Sequence, residues 1–260
     1  MTTHPVQSSP LPPEAIGDYR IVSALSNTAL RALGPGDKQV VLKIIPPDCL
    51  QRGNLHPNIH ARLSRVRELA HPGVANLHSV ERDKPFVFAV WDDVDGLPID
   101  RYVQMHDTSP MALGRLAREV ILVVESLHAL GIVHGRIHPN NVLIDSRGNV
   151  RLTHISPLLY DDPELDNAAT MELIGRLVHV GRQTDSAFGR SVQDAINHKL
   201  PLRTLATRLS VSVDSPSMGR QTPAPDSDSG IRLSTIALAL ALAVAGVAIA
   251  YVITRLSGSK

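Results

Sequence analysis

The sequence predicts an α+β protein of two lobes, β-rich at the amino-terminal side and helical at the carboxy-terminal side, followed by one apolar helix long enough to cross a membrane. Three observations carry this reading. Short runs rich in Val, Ile and Leu, punctuated by turn residues, crowd residues 19–91; amphipathic helical runs dominate residues 111–209; and residues 233–253 hold no charge.

The elements follow in order. Residues 1–17 are rich in Pro and Ser and read as a disordered arm; without an apolar stretch they do not form a secretory signal. Tyr19–Leu25, Ala29–Leu33 and Gln39–Ile45 read as strands, the last two joined through Gly34-Pro35-Gly36-Asp37. A helix around Ile59–Leu69 and strands near Ala75–Val80 and Phe86–Trp91 complete a lobe and hinge over 18–96. Within 97–210, Leu113, Leu116, Val120, Val123, Val124, Leu127 and Leu130 recur at three- and four-residue steps, so Met111–Leu130 is a helix with one apolar face, and Gly131 stands where a terminating glycine belongs. Val142–Ile144 and Val150–Leu152 form a hairpin, and helical runs near Thr170–Val180 and across Phe188–Leu209 close a reduced lobe. Residues 211–231, rich in Ser, Pro and Asp, read as a flexible linker. The span LSTIALALALAVAGVAIAYVI, Leu233–Ile253, lies inside a predicted transmembrane helix of residues 232–254, with a tail of 255–260. Arg232 and Arg255 bracket it evenly, so charge does not set its orientation.

Composition narrows the function. The 260 residues carry a net charge of +1, with no basic patch interleaved with aromatics, which argues against a nucleic-acid partner. The single Cys49 excludes an internal disulfide, and no Cys/His cluster has metal-ligand spacing, so no metal site is expected. Aromatic residues make up only 3%, so the core must be built from aliphatic side chains.

The stretch Gly131–Asp145, GIVHGRIHPNNVLID, is the most informative in the chain. Its layout resembles the catalytic loop of the protein kinase family, His-Arg-Asp-Leu-Lys-Pro-x-Asn followed by a short apolar strand. Three further landmarks stand in order: Val40-Val41-Leu42-Lys43 resembles the Val-Ala-Ile-Lys strand, the run from His71 the step after the family's helix C, and Val150–Ser156 the Asp-Phe-Gly segment. The resemblance extends over about residues 18–210 and implies the two-lobed protein-kinase-like fold.

It also implies a degenerate site. Arg136 stands at the catalytic aspartate position, His138 at the loop lysine and His154 at the metal-binding aspartate, so no catalytic residue is expected. Guanidinium stays protonated and cannot act as a base. The glycine-loop position, Leu25–Arg31, holds no glycine, and Arg62 falls where helix C should offer a glutamate to Lys43. Lys43 and Asn141 remain as the residues that could bind a cofactor, with ATP the one candidate; the plainer reading makes Lys43 a solvent-reaching strand lysine and Asn141 a brace for its own loop. His134 is expected to pack under the loop, and Trp91 to stand at the back of the adenine pocket. Lys43, Arg62, Arg136, His138 and His154 are expected to converge on a positive cleft unless they pair with Asp161-Asp162.

The architecture resembles bacterial membrane-tethered serine/threonine kinases. The resemblance implies a pseudokinase anchored in the cell membrane, its kinase-like domain in the cytoplasm, acting as a scaffold or allosteric partner of a cytoplasmic protein such as an active kinase. Two other readings stay open: a divergent ATP-dependent protein kinase or transferase using Lys43, Asn141 and an unusual acid such as Asp161, and a metal-free anion or nucleotide sensor.

Overall fold

A computed structural model describes residues 13–214, with side chains to residue 210. The apolar span, the tail and nearly all of the predicted linker lie outside the described residues. Among the described residues no helix is long and apolar enough to cross a membrane.

The chain opens with β1 (Ala15–Ile16), β2 (Tyr19–Ser26), β3 (Ala29–Leu33) and β4 (Gln39–Ile44). A small hairpin, β5 (Leu50–Gln51) and β6 (Asn54–Leu55), leads to α1 (Pro57–Arg67), then β7 (Leu77–Asp83) and β8 (Phe86–Asp92). One antiparallel sheet runs in the order β1-β2-β3-β4-β8-β7. Its outer face is covered by Ile16, Tyr19, Leu30, Val40, Leu42, Phe88 and Val90, and its inner face carries Ala29, Val41, Ala89 and Trp91 against Ile59, Leu63 and Val66 of α1. The predicted arm therefore ends earlier than residue 17: burying Ile16, 1% exposed, over the outer face draws Ala15–Ile16 into the sheet.

The second lobe begins with β9 (Gly96–Pro98) and α2 (Ile99–Met105), neither of which has a hydrophobic period long enough to read from sequence. Next comes α3 (Pro110–Ala129). The Ser109 hydroxyl accepts the Ala112 N–H at 3.2 Å, Pro110 sits where a missing N–H costs nothing, and Leu113, Leu116, Val120, Val124 and Leu127 are buried along one face. The chain leaves this helix through Gly131 at φ 66°, a left-handed conformation favouring glycine. β10 (Val142–Asp145) pairs with both β11 (Val150–Leu152) and β9. Then α4 (Glu164–Val180), α5 (Ala187–Asn197) and α6 (Leu202–Asp214) close the lobe. The backbone of α6 continues to Asp214, past the predicted start of the linker at residue 211.

α4 starts six residues before Thr170, where apolar periodicity placed it. Its first turns are shaped by carboxylates: the Asp162 Oδ1 accepts the Glu164 N–H at 2.9 Å, and Asp166 is only 1% exposed. Asp166 Oδ2 accepts the His134 N–H at 2.6 Å, Oδ1 the Gly135 N–H at 2.8 Å, and His128 Nε2 lies 3.1 Å from Oδ2. Burial pushes this carboxyl up, but the hydrogen bonds from His128, Gly135 and His134 outweigh it and hold the group below the usual carboxylate range.

Replacing Asp166 with Ala strands the buried N–H of His134 and the half-buried N–H of Gly135. Asp166→Ala is expected to lose about 3–5 kcal/mol of stability, and Asp166→Asn less, in urea unfolding followed by circular dichroism.

Candidate functional site

Where the lobes meet, Lys43, Arg136 and His154 line one cavity of about 80 Å³, with Thr28, Leu63, Ala89, Trp91, Ile155 and Leu158 among its walls. Lys43 reaches it from β4, where its cross-strand neighbours are Ala29 and Ala89, side chains too short to fill the space beneath the ammonium. The roof is short because Ser26 pairs with Ala29 across the two-residue turn Asn27-Thr28, and the Ile44 N–H donates to the Thr28 carbonyl at 2.8 Å. A turn tied down in this way leaves no glycine loop to fold over phosphates.

Lys43 is half-buried, and burial followed by the charge of Arg136 lowers its pKa. Among the described residues no carboxylate lines the cavity, and neither the Lys43 ammonium nor the Arg136 guanidinium has a hydrogen-bond or ion-pair partner. His154 sits at φ 61° with its ring edge-on to Trp91, centroids 6.1 Å apart, and its buried Nε2 has no partner. Burial first, then Lys43 and His134, pushes its pKa down to about 4, so the imidazole is neutral near pH 7.

The floor is the loop 133–141. His134 is fully buried; its Nδ1 accepts the Arg136 N–H at 3.2 Å and its Nε2 donates to the Thr153 carbonyl at 3.1 Å, which fixes the neutral tautomer. Gly135 has φ 72°, and a Cβ there would lie 2.2 Å from the Tyr160 ring, so the position that carries the family's loop arginine is covered by an aromatic. Asn141 Nδ2 donates to the Arg136 carbonyl at 2.9 Å, while its own carbonyl accepts the Thr153 N–H at 2.9 Å. Asn141 thus braces the loop and does not line the cavity.

Two of the five cations expected in the cleft lie elsewhere. Arg62 does not face Lys43. Its Nε donates to the Ser156 carbonyl at 3.0 Å and its Nη2 to the Val133 carbonyl, because these carbonyls, unsatisfied by any sheet, lie directly under α1. One turn on, Arg65 donates to the Leu130 and Gly131 carbonyls at 2.8 and 3.3 Å, where the carboxy-terminal end of α3 favours a cation. His138 is exposed, and its Nδ1 accepts the Asn140 N–H at 3.3 Å to cap the turn Pro139–Asn141. Asp161 and Asp162 do not line the cavity either.

One feature was not anticipated from sequence. Arg31 stands opposite Val41 in the β3–β4 register, on the inner face of the sheet, and reaches the hinge segment after β8. Its Nε and Nη2 hold Asp93 Oδ2 and Oδ1 at 2.7 and 3.2 Å, a two-pronged pair that ties the roof to the hinge. The acidic run Asp92-Asp93 was its only signal, and Asp92 is engaged by Asn76 and His78 instead.

The protein kinase domain family model matches residues 31–155, from Arg31 to the residue after His154. Among curated proteins, the carbon catabolite-derepressing protein kinase of Saccharomyces cerevisiae is 27% identical over 183 residues, covering 65% of this chain and 29% of the relative. The enzyme of the same name from Candida albicans is 28% identical over 154 residues, 57% of this chain and 25% of its own. CBL-interacting serine/threonine-protein kinase 15 of Arabidopsis thaliana is 25% identical over 159 residues, 61% and 38% respectively. The matches span well under half of each of these relatives. Residues 31–155 thus match a protein kinase domain, the similar curated proteins are protein kinases, and the described residues have a two-lobed kinase-like α+β fold.

The neutral imidazoles make stability fall on acidification. His134 is pushed down to about 4 by burial, against an ordinary 6.5. Above pH 6.5 folded and unfolded chains are both neutral there; between 6.5 and 4 the unfolded chain takes up a proton that the folded one refuses. The loss reaches roughly 3 kcal/mol for His134 by pH 4, with a comparable share from His154. Urea midpoints measured from pH 7.5 to 4 should fall accordingly, and His154→Asn, which tolerates the positive φ, should shallow the slope. Arg62→Glu is expected to destabilise by about 2–4 kcal/mol in the same assay, since it removes the donors to Val133 and Ser156 and sets a carboxylate against their carbonyls.

Proposed function

We propose that this protein is a membrane-anchored pseudokinase that works as a scaffold or allosteric partner of a cytoplasmic protein, an active kinase being the partner its own fold best suits. One observation carries the reading: the two positions where the family places acids hold Arg136 and His154, and among the described residues no carboxylate lines the cavity that they share with Lys43. Magnesium is held by carboxylates and phosphates, and a site whose only formal charges are cationic offers it nothing. Phosphoryl transfer depends on that metal, on a general base and on a cover over the phosphates. Loss of the base alone costs about 10²–10⁴ in rate, and here all three supports are wanting.

The arginines of α1 favour a static role. Arg62 and Arg65 join the first lobe to carbonyls of the second, so the surface spanning both lobes is held in one arrangement. The membrane anchor is proposed on sequence alone, from the uncharged run Leu233–Ile253. A divergent protein kinase is the second reading, supported by the 25–28% identity to serine/threonine kinases and by the retained Lys43 and Asn141.

Incubating the full chain with γ-labelled ATP, magnesium or manganese and a general protein substrate separates the two. The pseudokinase reading expects transfer no greater than that of Lys43→Ala; metal-dependent transfer lost in that variant establishes the kinase instead. For the anchor, the chain should stay with membranes through an alkaline carbonate wash, and a version ending at residue 231 should be released.

A further inference from the structure

We propose that the cavity between Lys43, Arg136 and His154 binds a small oxyanion, of about the size of phosphate, without a metal ion and to the exclusion of nucleotides. The proposal rests on the pseudokinase reading in one respect, that no metal–nucleotide complex occupies the cleft.

Two cationic donors converge there, with nothing among the described residues to donate to. The Lys43 ammonium and the Arg136 guanidinium lack partners among the described residues, and the His154 Nε2 is a buried ring nitrogen with none. The His154 Nε2 has no surface open to the cavity, so Lys43 and Arg136 are the groups that would hold an occupant. The two cations reach the cavity from separate segments, β4 and the 133–141 loop, which is the convergence that recognition of an anion requires. Leu63, Ala89, Trp91, Ile155 and Leu158 give the same space apolar walls, which strengthens each charge interaction beside them. With no acid among the described residues on the wall, an anion is what would offset the half-buried Lys43 and the Arg136 charge beside it.

Size decides which anion. A cavity needs about 10–15 Å³ of such volume per water, so 80 Å³ takes only a handful of non-hydrogen atoms. Inorganic phosphate, sulfate or a short carboxylate fits; drug-sized and cofactor ligands occupy roughly 300–1,000 Å³. Access for an adenine is further barred by Arg31, whose guanidinium crosses from the inner face of the sheet to Asp93 on the hinge. Trp91, 1% exposed, fills the wall between.

Trp91 also supplies the assay, because it is the only tryptophan of the chain and lines the cavity. The full chain in detergent, with EDTA, is titrated with inorganic phosphate, sulfate and acetate against sodium chloride of matched ionic strength, while tryptophan emission is followed. A saturable change is expected with at least one of the three anions and none with ATP, and Arg136→Ala should weaken it about tenfold or more, the loss of one charge-assisted contact. Circular dichroism of Arg136→Ala, altered at an exposed side chain, checks that the fold is intact. Absence of a saturable change with all three anions overturns the proposal and leaves the pseudokinase reading standing. A change that survives unaltered in both Lys43→Ala and Arg136→Ala places the anion elsewhere and overturns it as well. Saturation by ATP that requires magnesium overturns both readings together.

Discussion

The carboxylate of Asp166 is the fixed point of the second lobe. One buried side chain accepts from the main-chain N–H groups of His134 and Gly135 and is held from the far side by His128. It takes a helix terminus, a loop that belongs to no sheet and the long helix α3, and gives them one relative placement. The loop could not otherwise be buried, because its amides would be left without acceptors, at a cost of about 1–3 kcal/mol each. From that placement follows the rest of the floor: His134 turns inward, bridges Arg136 to Thr153 and so sets the loop beside the strand β11. Asn141 closes the same loop on itself.

The first lobe is attached to that floor by charge acting on backbone. Arg62 and Arg65 lie on one side of α1 and end on carbonyls that the fold leaves open, those of Val133, Ser156, Leu130 and Gly131. The other side of α1 packs Ile59, Leu63 and Val66 into the common core, so the helix is both glued by apolar burial and oriented by hydrogen bonds. This orientation removes Arg62 from the cleft. What remains there is a smaller set of cations, Lys43 and Arg136, with a neutral His154 between apolar walls, and the Arg31–Asp93 pair across the hinge.

Much of the fold was legible because period reports burial. Strands β2 to β4, α1, β7, β8 and α3 each bury a face large enough to impose its rhythm on the sequence, and their predicted limits lie within a few residues of those observed. The elements that escaped have no such face: β9 is three residues long, α2 seven, and the first turns of α4 are organised by the buried polar Asp166 while Leu165 points to solvent. The site was readable by position and not by direction. Register along the loop located Arg136, His138 and His154, but whether a long side chain enters the cleft depends on which unsatisfied carbonyl lies within its reach. Arg62 found two such carbonyls, and His138 found its own turn. The Arg31–Asp93 pair joins residues 62 apart through sheet curvature, which no local pattern encodes.

The interactions that hold the loop explain how a kinase-like frame persists around a cleft without acids. Nearly every bond that positions residues 133–141 engages main-chain atoms: the amides of His134, Gly135 and Arg136, and the carbonyls of Val133, Arg136 and Asn141. The side chain of Arg136 takes no part in them, and the His154 ring contributes only an edge contact to Trp91. A substitution at either position therefore changes the charge of the cavity while leaving the hydrogen bonds of its frame intact. Geometry and chemistry are thus separable in this cleft: Asp166, His134 and Asn141 maintain the shape, and the residues facing the space are free to take the opposite sign. The cost of the exchange is the partial desolvation of Lys43 beside a second cation. That cost falls on the cavity alone, where it creates a standing preference for negative charge.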